Sequence, residues 1–89
     1  MFKRTDSGFY LGEDPRKPLA EIAFIPLGEG ELSITHTYVT DALRGQGMAE
    51  KLVDAVADLA RTQGKKLSAT CTYAKKALAE KAKYADVIR

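Results

Sequence analysis
Arg44, Gly45, Gln46, Gly47, Met48 and Ala49 leave a strand-like run and open directly into an amphipathic helical pattern, an arrangement suited to holding a phosphate. Glycines let the backbone turn tightly and bring N–H groups against a ligand, and the helix behind them adds unpaired amides and the positive end of its dipole. Arg44 adds a permanent cation. Two other phosphate loops fit less well. A Walker loop needs Lys followed by Ser or Thr after its last glycine, where this chain has Met48 and Ala49. A dinucleotide fingerprint begun at Gly45 wants a third glycine where Glu50 stands. An ordinary glycine-rich strand-to-helix turn shares the same local pattern, so the flanking elements must decide.

Those elements read as strands first and a crossover afterwards. Gly8 to Leu11 is a short strand, and Gly12 to Pro18 a connection marked by prolines and charges. Leu19 to Ile25 alternates, with Ala20, Ile22 and Phe24 on one face, until Pro26 closes the run. After a turn at Gly28 to Gly30, Leu32, Ile34, His36 and Tyr38 alternate with Ser33, Thr35 and Thr37. That pattern places the one histidine on the face of Leu32 and Ile34. From Met48 the period lengthens: Met48, Leu52, Val56 and Leu59 form a stripe that Ala49, Val53 and Ala60 widen, and Gly64 is placed to end the helix. Leu67 to Thr72 alternates again, and Ala74 to Lys83 carries a short second helix. The stretch between Val39 and Leu67 is long enough for a crossover, so the third and fourth strands are expected to pair in parallel through a right-handed βαβ unit. The expected architecture is α/β, with antiparallel hairpin strands, a βαβ crossover and a short C-terminal helix, in one domain spanning residues 1–89.

Composition narrows the function. With 89 residues the chain buries a modest core and has little left for a separate substrate domain. No apolar run approaches the ~20 residues that span a bilayer, and residues 1–6 lack the apolar region of a secretion signal; no membrane partner is expected, and the cytoplasm is the expected compartment. A net charge of +2 from 14 basic and 12 acidic side chains is too balanced to argue for a nucleic-acid partner without a concentrated basic face, and none is expected. A single cysteine excludes an internal disulfide and a four-cysteine zinc site, and no metal is expected.

With the crossover in place, residues 36–39 and 71–73 lie at the C-terminal ends of neighbouring parallel strands, the edge where open α/β sheets bind ligands. A phosphate cradle, an imidazole and a thiol are thereby expected to converge. Cys71 is the nucleophile candidate, since a thiol near a histidine forms a thiolate able to accept an acyl group, and His36 is its candidate base. Each also has a packing reading: Cys71 as a small core hydrophobe, His36 as a hydrogen-bonded structural residue, Tyr38 and Tyr73 as caps on the core. Lys75, Lys76, Lys81 and Lys83 read as a solvated helix face.

The order Arg-x-x-Gly-x-Ala after a strand resembles the pyrophosphate-binding signature of the GNAT-type N-acetyltransferases. The run His36-Thr37-Tyr38-Val39, then Leu43 to Gly47, then Cys71-x-Tyr73, then Tyr84 to Val87, is similar to the short single-domain members of that group, over roughly residues 8 to 88. The resemblance implies a small GNAT-like fold and an acetyl-CoA site between splayed parallel strands. By position it implies cofactor contacts from Tyr38, Val39, Arg44, Gly45, Gln46, Gly47, Met48, Ala49 and Tyr73, with Cys71 and His36 as catalytic residues. The chain departs from that pattern at Thr72, where proline is usual, and at Ala49, where glycine is commoner. Two function classes follow: an enzyme moving an acetyl group from acetyl-CoA to an amine, directly or through acetyl-Cys71, and a non-catalytic module that holds CoA or acyl-CoA. The acceptor amine is not identified by sequence, and a homodimer is left open.

Overall fold
A computed structural model of the protein describes residues 2–88; Met1 and Arg89, the ends of the expected domain, lie outside the described residues. Five strands form one sheet in sequence order: β1 (Lys3–Thr5), β2 (Gly8–Leu11), β3 (Ala20–Leu27), β4 (Glu31–Val39) and β5 (Lys66–Ala69). Neighbours β1 to β4 pair antiparallel, and β4 pairs with β5 in parallel across helix α1 (Met48–Gln63). Helix α2 (Thr72–Glu80) follows β5. This is the expected architecture with one addition: β1 is three residues long, too short to show a period.

Two strand boundaries differ from the sequence pattern. β3 runs through Pro26 to Leu27, because β2 begins at Gly8 opposite Ala23 and the stretch of β3 beyond has β4 as its one strand neighbour; a proline is tolerated where no ladder bond is needed on one side. β5 stops at Ala69 rather than continuing to Thr72, and the following helix starts at Thr72 rather than Ala74. The amides of Thr70 and Cys71 both donate to the Ile34 carbonyl, at 2.9 and 3.2 Å, which ends the ladder and turns the chain.

The core lies between the sheet and α1. Ala20, Ile22, Phe24, Leu32, Ile34 and Leu67 pack against Leu52, Val53, Val56, Ala57 and Ala60 of α1, each large aliphatic residue contributing roughly 1.5–3 kcal/mol. Gly64, at φ +66°, ends α1, and Lys65 N–H returns to the Ala60 carbonyl at 2.8 Å, the paired bonding of a glycine-terminated helix. The C-terminal segment is tied back by Arg61, whose guanidinium donates to both Asp86 carboxylate oxygens at 2.8 and 3.0 Å and to the Lys83 carbonyl at 2.7 Å. Tyr84 is buried in the same core and donates its hydroxyl to Asp54 at 2.7 Å.

Candidate active site
A β-bulge decides which side chains reach the cleft. Ile34 stands opposite Phe24 and His36 opposite Ala23, so Thr35 is the extra residue with no position opposite it in the register, and the alternation of β4 changes face after it. Leu32 and Ile34 remain buried in the core. Beyond the bulge Thr37 and Val39, opposite Ile22 and Ala20, take the helix side, and His36 and Tyr38 turn to the other. This corrects the face given to His36 by simple alternation.

The cleft opens where the two parallel strands part. Their register covers Glu31 to Ile34 against Lys66 to Ala69, and from Thr35 onward β4 keeps a partner on the β3 side alone. Alternate residues of that edge turn their backbone groups toward the gap. The gap is closed below by the loop and first turn of α1, making a cleft of about 490 Å³ lined by Thr37, Tyr38, Val39, Leu43, Arg44, Gly45, Gly47, Met48, Ala49 and Tyr73. Of the nine residues expected to contact a cofactor, Gln46 alone is not in that lining. Thr37 and Leu43 were missed, Thr37 because the bulge reverses the face that alternation gives it.

Gly45 and Gly47 hold left-handed backbone at φ +83° and +74°, conformations that favour glycine. A Cβ at either would meet nothing within 4 Å, so both α-carbons look into open space. The amides of Gly45, Gln46 and Gly47 have no backbone acceptor among the described residues, and those of Met48 to Glu50 are first-turn donors that a helix cannot satisfy internally. This cradle fits a pyrophosphate. Arg44 is partly committed: its Nε donates to the Val39 carbonyl at 3.2 Å, and a terminal nitrogen lies 3.2 Å from Asp41. It therefore ties the loop to the end of β4 while remaining solvent-accessible. Glu50 in the first turn would oppose an anion, but Lys81 lies 3.2 Å from it and Lys83 contacts it too. Hydrogen bonds from Lys83 and Lys81 hold the Glu50 carboxyl below its usual range. Those two lysines are thus ion-paired beside the site and are not merely a solvated face.

Cys71 stands at the N-terminal cap of α2, not on a strand. Its sulfur lies 3.2 Å from the Thr37 hydroxyl. Burial pushes the thiol up, but the Thr37 hydroxyl and the amides of Ala74, Tyr73 and Thr37 outweigh it, leaving the thiol below its ordinary value. No full side-chain cap bond is closed, so the amides act mainly as oriented dipoles. The expected convergence of Cys71 with His36 is not formed. His36 Nε2 lies 3.5 Å from Glu21 on the opposite face of the sheet, while Thr37 occupies the position beside the sulfur. Tyr73 lines the cleft, and burial, then Glu50, raises its phenol above the usual range. Cys71 is expected to react with iodoacetamide with a midpoint below that of an ordinary thiol, and Thr37→Val to move the midpoint up. A stopped-flow pH series measures both; a wild-type midpoint at or above the ordinary thiol range would contradict this electrostatic account.

The sequence profile of the GCN5-related N-acetyl-transferases matches residues 8–87. The chain belongs to that family. Its fold is similar to the NMR solution structure of a GCN5-like N-acetyltransferase candidate from Staphylococcus aureus, with a TM-score of 0.87 and 38% identity, over 100% of this chain and 87% of that one. No curated protein matches the chain. For this GCN5-related chain, the parted strands and the glycine cradle are the features through which a family fold becomes a candidate reaction site.

Proposed function
We propose that residues 1–89 form one domain that transfers an acetyl group from acetyl-CoA to an amine, directly within a ternary complex and in the cytoplasm. The observation that carries this reading is the joining of the glycine cradle to the open edge of β4 in one cleft. Gly45 to Ala49 would hold the pyrophosphate through their amides, with Arg44 contributing its remaining charge. Acetyl-CoA supplies an activated acyl group as a thioester. The amides near Tyr38 and Val39 would polarise its carbonyl, an oxyanion-type role. Tyr73, in the cleft lining with its phenol raised, stays protonated at neutral pH and would return a proton to the departing thiolate. His36, next to Glu21, is the candidate acceptor for the proton that the amine must lose.

A relay through acetyl-Cys71 is the second reading, favoured by the lowered thiol. Direct transfer fits better because Cys71 is outside the cleft lining and bonded to Thr37. Steady-state thiol release from acetyl-CoA with a panel of amines tests the activity, and a protein that binds CoA without amine-dependent release would be a binding module. Under direct transfer, Cys71→Ala keeps turnover within about 10-fold, and mass spectrometry finds no acetyl adduct when amine is omitted. A one-acetyl adduct lost together with turnover in Cys71→Ala would establish the relay instead.

A further inference from the structure
The face of the sheet turned away from α1 carries a cross-strand row of side chains to which the acetyl-transfer reading gives no ligand. Lys3, Tyr10, Glu21 and Tyr38 stand at directly paired positions across β1, β2, β3 and β4. All four fall on the face opposite buried Ala20, Ile22 and Phe24. Neighbouring side chains in such a row are about 5 Å apart at Cβ, so a carboxylate is flanked on both sides by a phenol ring. Beside it, the His36 imidazole lies 3.5 Å from the same carboxylate. Further along β3 the same face presents Ala23, Ile25 and Leu27, of which Ile25 and Leu27 are 47% and 45% exposed.

We infer that Tyr10, Glu21 and Tyr38 form a subsite for a primary alkylammonium ion, its charge at Glu21 between the two rings and its aliphatic stem along Ala23 and Ile25. A carboxylate supplies the charge, and ring faces attract a cation while also packing against methylenes. The protein furnishes its own example of the contact: the Lys3 ammonium lies over the Tyr10 ring, 5.9 Å from its centre. Tyr38 also belongs to the lining of the cleft, so the subsite borders the place proposed for the acetyl group, and its role as acceptor site rests on that proposal. The bound ammonium gives one proton to the His36–Glu21 pair. The freed nitrogen lone pair forms the N–C bond as the C–S bond breaks, and sulfur keeps the electron pair. The second nitrogen proton offsets the one the thiolate takes up, so the net products are the acetamide, the CoA thiol and one proton passed to water.

NMR titration of the protein with n-butylammonium, without acetyl-CoA, tests the subsite independently of acetyl transfer. Shifts are expected at Tyr10, Glu21 and Tyr38, and n-butanol, of the same shape without the charge, should bind about 10-fold more weakly. Glu21→Gln should cost about 10-fold in butylammonium affinity, and Lys3→Met, which removes the competing ammonium, should bind it equally or more tightly. The spectra report directly that each variant is folded. Shifts confined to other residues, equal binding of butanol, or undiminished affinity in Glu21→Gln would overturn the inference. N-acetyl-lysine methylamide and 1,4-diaminobutane, titrated in parallel, distinguish a side-chain acceptor from a free diamine, and no response to either would also overturn it. A protein that binds butylammonium at this row but fails to bind acetyl-CoA would refute the transfer reading and leave the subsite standing.

Discussion

Gly47→Asp is expected to keep the fold and lose acetyl-CoA binding by at least about 100-fold. Gly47 is left-handed at φ +74°, and its Cβ would enter open space. Aspartate and asparagine tolerate that conformation better than other side chains, at roughly 1–2 kcal/mol. The added carboxylate would stand where the cradle presents its amides. Like charges about 4 Å apart near a protein surface repel by ~4 kcal/mol, well beyond the lost hydrogen bonding alone. Gly47→Asn has the same shape without the charge and should lose no more than about 10-fold. Calorimetry on the two variants measures the difference, and equal losses in both would show that bulk rather than charge governs the loop.

The second large effect is on stability. Tyr84→Ala should destabilise the protein by about 3–5 kcal/mol, the range for removing a large buried ring, because Tyr84 is 1% exposed within the core. For a chain of this length total stability is roughly 4–13 kcal/mol, so the variant is expected to melt about 15–30 °C lower. Tyr84→Phe keeps the ring and removes the bond to Asp54, which still has Lys83 at 3.0 Å. Its expected cost is about 1 kcal/mol. Urea unfolding followed by circular dichroism gives both values. Equal losses in the two variants would put the stabilisation in the hydroxyl and not in the ring.

The parts of this protein that follow a local period were legible in the sequence. The stripe from Met48 to Leu59 made α1, the alternation around Ile22 made β3, and Gly47 and Gly64 bounded the helix. The glycine cradle was legible because its chemistry is local: positive φ, unpaired amides and a helix start all occur within a few consecutive residues. What could not be read was the consequence of one extra residue. Nothing about Thr35 marks it as a bulge, yet it sends His36 to one face and Thr37 to the other, separating the imidazole from Cys71 and bringing a hydroxyl to the sulfur. Cys71 itself continues an alternating pattern, and the strand ends before it because Thr70 and Cys71 both bond to Ile34. The row of Lys3, Tyr10, Glu21 and Tyr38 draws on four strands, and register across strands has no signature in any one of them.

The proposed transfer requires one cleft, between the open edge of β4 and the start of α1, to hold acetyl-CoA. Titrating ¹⁵N-labelled protein with acetyl-CoA and following its amides tests this most directly. Saturable shifts are expected at Gly45, Gly47, Met48 and Ala49 for the pyrophosphate and at Tyr38 and Val39 for the thioester, with the β1–β2 hairpin unmoved. Saturable binding that shifts another surface while leaving Gly45 to Ala49 unchanged, or no binding at millimolar acetyl-CoA, would contradict it.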